Sequence, residues 1–290
     1  MTSSPDPVTI VTVCYNSMAV LPDMLASVPE GVPVVLVDNA STDGGELAAC
    51  AERHGARRVR NEVNRGFGVA CNQGAALATS EFLLFLNPDA TLAPDTLDAL
   101  IAAAARYPEA SAMNPRIAEA DGGEYFKRSS HLMPRSEKMP RGWPREDREI
   151  SVLSGAALFV RRADFEKVGG FDPAIFLYHE DDDLGRRLRD QCGPLMFIRA
   201  ALVQHLGGRS SVRSPEVAAL KAWHMGRSRV YAARKHGRRF AFGSAALQSV
   251  LQLASPLNLL SKRKRAKNWS FLRGVFAEGF SRGLETGQAR

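Results

Sequence analysis

An α/β fold built on a mostly parallel, doubly wound sheet, followed by a helical, amphipathic and basic extension, is what this 290-residue sequence predicts. Three observations carry that expectation. Strand-like and helix-like stretches alternate through the first third of the chain, a pattern of α/β architecture rather than of separate all-α and all-β parts. The strand candidates Val8–Val13 and Val32–Val37 are nearly unbroken apolar runs, as parallel strands covered on both faces require. Beyond the alternating region, Lys262, Arg263, Lys264, Arg265 and Lys267 crowd together near the end. The expected division is residues 1–212 for the sheet domain and 213–290 for the extension.

Taken in order, Val8–Val13 is a β-branched strand, about Ser17–Val28 a helix, and Val32–Val37 a second strand. A helix near Glu46–His54, a short strand at Arg57–Arg60, a helix over Gly68–Ala78 and a strand at Phe82–Leu86 continue the alternation. Pro94–Tyr107 reads as a helix with proline in its first turn, and Ala112–Ile117 as a strand. Periodicity fails between Glu119 and Glu149, where Pro134, Pro140, Pro144, Gly122 and Gly123 fall among many charges. That stretch is expected to be a mobile loop, either a lid or a surface insertion. Val152–Val160 is again regular, Arg161–Val168 is a helix, and Gly169-Gly170-Phe171-Asp172 is a turn. A helix from Asp181 to Asp190, a strand over Leu195–Val203 and a helix over Pro215–His236 complete the reading.

A chain with 45% hydrophobic residues can bury a substantial core, so disorder is not expected. Cys14, Cys50, Cys71 and Cys192 form no CxxC pair and no zinc spacing with histidine, which suits reduced thiols in the cytoplasm. Met1–Pro7 lacks a secretory pattern, so no export is expected. Phe240–Leu260 holds no charged residue, but Gln248, Gln252, Ser255, Pro256 and Asn258 dilute it below a membrane span. In the tail, Trp269, Phe271, Leu272, Val275 and Phe276 share a helical face that would cover the core, a second subunit in a homodimer, or an anionic membrane surface.

The chemistry-bearing residues sit where strands end. In open α/β sheets ligands bind in the crevice beyond the carboxyl ends of the strands. Tyr15, Asn16 and Ser17 follow the first strand, and Asp38, Asn39, Ser41 and Asp43 the second, where they either line that crevice or close a turn locally. Asn64-Arg65-Gly66-Phe67-Gly68 opens a helix, whose free N–H groups suit an anion. Cys71 stands where a dinucleotide fingerprint would have its last glycine. The strand Phe82–Leu86 runs into Asn87-Pro88-Asp89-Ala90, which makes Asp89 the leading ligand for a hard divalent cation, with His205 either a further ligand or structural. Glu180, Asp181, Asp182 and Asp183 form an acidic knot, in which crowding raises some carboxyl pKa values and supplies a general base.

Seven ordered motifs, VTIVTVCYN, VDNASTD, NRGFGVACNQG, FLLFLNPDA, SGAALFVRR, GGFDPAIFLYHEDDDLGRRLR and VQHLGGRSS, resemble glycosyltransferase family 2 of the GT-A fold, nearest the bacterial rhamnosyltransferase-like enzymes. The likeness spans about Val8 to Ser211. It implies a nucleotide-sugar donor, a dTDP- or UDP-sugar with dTDP-rhamnose leading, and a glycan or lipid-linked acceptor in cell-surface polysaccharide synthesis. By the same resemblance Asp38 binds the base or ribose, with Asn39, Ser41 and Asp43 shaping that pocket. Asn64, Gly66, Phe67 and Asn72 contact nucleotide and diphosphate. Asn87 and Asp89 stand at the DXD-type position, with asparagine where many relatives carry the first aspartate, and Asp89 holds Mg²⁺ or Mn²⁺ together with His205. Asp181 is the catalytic base, supported by Glu180 and Asp183. The enzyme would act in the cytoplasm, or peripherally on the inner face of the membrane.

Three other readings compete. An NAD-dependent oxidoreductase would use the glycine-containing loop but leaves the acidic knot without a role. A non-catalytic nucleic-acid-binding domain would use the basic tail, which lacks interleaved aromatic platforms. A glycoside hydrolase would need paired carboxylates but no metal motif at a strand end.

Overall fold

A computed structural model describes residues 7–207, 214–255 and 261–281. Pro256–Leu260 of the uncharged stretch, and Gly208–Ser211 of the last motif, lie outside the described residues. The chain forms two compact units, Met1–Ala174 with Glu180–Val212, and Ile175–His179 with Arg213–Arg290.

The first unit is a ten-stranded mixed sheet with helices on both faces. Its strands are β1 (Val8–Cys14), β2 (Val34–Asp38), β3 (Arg57–Arg60), β4 (Phe82–Leu86), β5 (Ala90–Leu92), β6 (Ala112–Glu119), β7 (Glu124–Tyr125), β8 (Arg148–Ile150), β9 (Ala157–Arg161) and β10 (Leu195–His205). The main path runs β3-β2-β1-β4-β9-β6-β10-β5, with β7 on β6 and β8 on β10. The expected parallel pairing joins β3, β2, β1 and β4, and also β6 with β10. In contrast, β9 lies antiparallel to both β4 and β6, and β5 antiparallel to β10. Strand direction leaves no trace in local periodicity, so these pairings, like β5, β7 and β8 themselves, were not legible beforehand.

Alternation along the strands builds two cores. Phe82 and Leu84 of β4 join Ile10, Leu36 and Phe159 on one face, while Leu83 and Phe85 join Val11, Leu158 and Val160 on the other. Burial on both faces is why these strands read as continuous apolar runs. The first face is covered by α1 (Leu21–Ala26), α2 (Gly44–Arg53) and α4 (Thr96–Arg106). The second is covered by α3 (Phe67–Ala75), α5 (Arg162–Lys167) and α6 (Glu180–Gln191). Residues 119–150, expected to be a loop or lid, contain β7, a 3-10 turn at Arg135–Glu137, and β8. They are held by Trp143 Nε1 donating to the Tyr125 carbonyl at 3.0 Å and by Arg186 donating to the Leu132 carbonyl at 2.7 Å.

The second unit contains α7 (Pro215–Lys235), α8 (Ala241–Ala254) and α9 (Lys262–Phe280). Helices α7 and α9 meet at glycines: a Cβ on Gly226 would strike the Phe271 carbonyl, and one on Gly274 the Trp223 carbonyl. Arg227 pairs with Glu278 at 3.1 Å across the same contact. Ser228 Oγ donates to the Leu177 carbonyl at 2.9 Å, which fastens Ile175–His179 to α7. Among the described residues no helix is long and apolar enough to cross a membrane.

Candidate active site

Strand order places the site. The chain runs β1-β2-β3 to one side and then returns to place β4 on the other side of β1, so the crevice opens beyond the ends of β1 and β4. The loops after β1 and β2 are sewn together there: Asn16 Oδ1 accepts from the Thr42 backbone N–H at 2.8 Å, and the Asn16 N–H donates to Ser41 Oγ at 3.0 Å. Both loops turn through left-handed residues, Asn16 at φ 54° and Ala40 at φ 69°. Tyr15 is exposed beside them, and Asp43 Oδ2 accepts from the Met18 N–H at 3.4 Å.

Asp38 ends β2 fully buried. Its Oδ1 caps the turn through the Ser41 N–H at 2.9 Å, while Oδ2 is paired with Arg60 and lies 3.5 Å from Arg58, both carried by β3. Sequence reasoning named neither arginine; the clue was the RRVR strand itself, whose cations needed a partner on β2. Burial pushes the neighbouring Cys14 thiol well above its usual range, with Asp38 adding to the effect, which keeps that sulfur inert.

Asn39 is a buried hub. Its amide donates to Asn64 Oδ1 at 2.9 Å and to the Gly66 carbonyl at 3.2 Å, and its Oδ1 accepts from the Arg65 N–H at 2.9 Å. The end of β2 is thereby locked to the loop that opens α3, where Gly66 holds φ 86°. Phe67 packs edge-on to Phe171 at 5.9 Å between ring centres. Asn72 faces that same turn: its Nδ2 donates to the Phe171 carbonyl and its Oδ1 accepts from the Phe171 N–H, each at 2.8 Å. Its amide therefore clasps α3 to the Gly169-Gly170-Phe171-Asp172 turn.

Beyond β4, Asp89 is buried and lies 3.2 Å from His205 Nε2, with Asn87 Nδ2 3.4 Å from the same nitrogen. The antiparallel ribbon between β5 and β10 sets His205 opposite Ala90, which brings the histidine to a motif 116 residues earlier (205 − 89). Among the described residues no group of three or more His, Cys, Asp or Glu side chains is arranged to hold a metal. One carboxylate, one imidazole and one amide would suit a hard divalent cation that took its remaining ligands from outside the protein. They do not form an all-protein cage.

The acidic knot opens α6. The two residues before it, Tyr178 and His179, both lie in left-handed backbone at φ 67° and 68°, strain of about 1–3 kcal/mol each that clusters at functional sites. Asp181 Oδ2 receives Lys127 Nζ at 2.6 Å and the Gly155 N–H at 3.0 Å, while its Oδ1 accepts from the Asp182 N–H at 2.8 Å. Lys127 also reaches Asp182 at 2.8 Å. Burial alone would lower the Lys127 ammonium, but Asp181 and Asp182 overcome it and hold it above its ordinary range. Glu180 is pushed up to about 8, first by burial and then by the charge of Asp181, so it keeps its proton at neutral pH. Asp183 is buried and paired with Arg187 at 2.7 Å on the next turn of the helix. Lys127 was missed because it lies 54 residues from Asp181 in a stretch without periodicity.

Two consecutive residues join the two acidic motifs. The Asn87 N–H donates to the Ala156 carbonyl at 3.0 Å, and the N–H of the preceding Gly155 donates to Asp181. Adjacent Cα atoms lie about 3.8 Å apart, so strand end and acidic knot face each other across one residue step. Beside them Lys127 and Ser154 line a cleft with Asn114, Phe126 and Phe197.

Comparison with known proteins identifies the family. The chain is 32% identical to an N-acetylglucosaminyl-diphospho-decaprenol L-rhamnosyltransferase of Mycobacterium tuberculosis, over 89% of this chain and 97% of that protein. It superposes on S. aureus TarS 1-349 with a TM-score of 0.56 at 16% identity, covering 94% of this chain and 92% of that one. It also matches the mannosyltransferase PcManGT of Pyrobaculum calidifontis in complex with GDP-Man and Mn²⁺, with a TM-score of 0.58 at 14% identity and coverage of 97% and 89%. Both structures share the fold of this chain. Residues 9–169, which run from β1 past the end of α5, match the model of Glycosyl transferase family 2, and the chain belongs to that family.

Proposed function

We propose that this glycosyltransferase is an inverting, metal-dependent enzyme that moves rhamnose from dTDP-rhamnose to a hydroxyl of a lipid-linked N-acetylglucosaminyl diphosphate acceptor. The observation that supports the mechanism is the residue pair Gly155 and Ala156, whose Gly155 N–H donates to Asp181 and whose Ala156 carbonyl accepts from Asn87 at the end of β4. The donor and acceptor assignments are supported by the full-length likeness to the rhamnosyltransferase, whose name specifies both sugars and a decaprenyl diphosphate. UDP-sugars are the alternative donors.

In this reading the Asp38 pocket, closed by Asn39, Ser41 and Asp43, receives the nucleoside, with Tyr15 and Asn16 along its rim. Asn64, Gly66 and Phe67 border the diphosphate, and Asn72 keeps their helix seated. Asp89 and His205, with Asn87 alongside, would hold Mg²⁺ or Mn²⁺, and that ion would neutralise charge developing on the departing nucleoside diphosphate. Asp181 takes the proton of the acceptor hydroxyl, which attacks the anomeric carbon from the face opposite the nucleotide and inverts it. Three donors fix the orientation of that carboxylate, whose side chain remains 17% exposed and so open to an incoming hydroxyl. Glu180, holding its own proton, removes a like charge from beside the base. Asp183, paired with Arg187, anchors the first turn of α6.

The test measures nucleoside diphosphate release from dTDP-rhamnose and several UDP-sugars, with a polyprenyl diphosphate N-acetylglucosamine acceptor, with and without Mn²⁺. Asp181→Asn should lower kcat by roughly a hundred- to ten-thousand-fold while leaving donor affinity nearly unchanged. An Asp181→Asn enzyme of wild-type rate removes the base assignment, and full activity in chelator removes the metal.

A further inference from the structure

Helix α8 is turned inside out for a helix in water. Its fourteen residues include no charge, yet the stripe it buries is Ala241, Ala245 and Ser249, spaced by four, while Leu247, Val250 and Leu251 are 62%, 52% and 63% exposed. Those three larger residues share one face at i, i+3 and i+4. A helix that packed only against its own unit would gain more by burying leucines than alanine and serine. Single exposed leucines are ordinary, but a contiguous stripe marks a surface meant to be covered.

A second observation comes from α9. Its first turn is Lys262-Arg263-Lys264-Arg265, with no acidic residue, at the helix end where the backbone dipole already disfavours cations. Lys262, Arg263, Lys264 and Lys267 are exposed, as are Arg238, Arg239 and Phe240 just before α8. Phe242 at the start of α8 packs on Phe276 and Phe280 at the end of α9, with ring centres 5.3 and 5.7 Å apart. The two consecutive helices therefore run antiparallel, and Leu251 falls at the end that carries the basic turn.

We propose that the outer face of α8 and the basic start of α9 together lie on an anionic lipid bilayer, with Leu247, Val250 and Leu251 in the acyl boundary and the cations among the headgroups. Fourteen residues are too short to span a bilayer, which takes about twenty, so the helix rests in the interface plane. A second copy is the weaker occupant, because a twofold contact through this face would set two such cation clusters against each other. The proposal concerns residues of α8 and α9 and none of those assigned to sugar transfer, and either can fail without the other.

The test is flotation of the full chain, without donor or acceptor, on vesicles of phosphatidylcholine with phosphatidylglycerol and on phosphatidylcholine alone. Wild type should float only with the anionic vesicles. Replacing Lys262, Arg263, Lys264 and Lys267 by glutamine should lower partitioning by about six-hundredfold, each cation contributing roughly fivefold near an anionic surface. Leu247→Gln with Leu251→Gln should lower it at least about tenfold at unchanged helicity, as two buried apolar contacts are lost. Both variants should retain wild-type turnover on a soluble, short-chain acceptor. Absence of flotation, or flotation indifferent to both variants, overturns the proposal. So does a dimer in light scattering that the leucine variant dissolves, which would assign the face to a second copy.

Discussion

Replacing Lys127 with methionine removes a cation shared by Asp181 and Asp182. Its amine lies 2.6 and 2.8 Å from the two carboxylates, and the three side chains are 19%, 17% and 6% exposed. At an effective dielectric near 20, each such pair is worth about 4 kcal/mol at 4 Å before desolvation is counted. Removing one partner of a buried pair leaves the other charge uncompensated and typically costs about 3–5 kcal/mol. Methionine keeps the length of the chain, so packing changes little and the loss is electrostatic. The measurement is urea unfolding followed by Trp143 fluorescence, in a Trp223→Phe/Trp269→Phe background so that the transition reports the sheet unit. Lys127→Met should lose about 3 kcal/mol, and the loss should shrink to about half in an Asp182→Asn background, where only Asp181 still needs the cation. Lys127→Arg should lie near wild type. A Lys127→Met cost below about 1 kcal/mol, identical in both backgrounds, refutes the reasoning.

Glu180 gives a pH dependence. Its folded pKa is raised to about 8 from an ordinary value of 4.5, so between those limits the native state binds the extra proton and stability falls as pH rises. The slope is at most about 1.4 kcal/mol per pH unit, and Glu180→Gln should flatten it; a wild-type curve that rises over that window contradicts the assignment. In the second unit, Gly274→Ala should destabilise by at least about 1–3 kcal/mol because the new methyl meets the Trp223 backbone, which cannot swing aside as a side chain can. Gly243→Ala, where nothing lies near, should be neutral or stabilising by up to about 1 kcal/mol, and thermal melts that rank the two the other way would refute the glycine contact.

The sequence showed the strands and the acidic positions because both leave local marks. Phe82–Leu86 is apolar at every position since Leu83 and Phe85 serve one core and Phe82 and Leu84 the other. Asp38, Asn87 and Asp89 were visible as polar residues directly after such runs. Partnerships were not legible. Asn39 and Asn72 read as donor contacts, and the structure occupies their amides with Asn64, Gly66 and Phe171. Lys127 and Arg60 joined the site through tertiary pairings that no spacing announces. The inverted face of α8 was hidden for a related reason: an uncharged helix has no polar side to show which way it points, and only packing decides that its alanines face inward.

The residue pair Gly155 and Ala156 works as a ruler. Covalent geometry, rather than the compliance of loops, sets the gap between the end of β4 and the Asp181 carboxylate. Attempts to widen the cleft beside it should therefore leave this pair intact and recut the wall formed by Phe126 and Asn114, since one residue inserted between Gly155 and Ala156 would break the spacing that holds Asp181 to the end of β4.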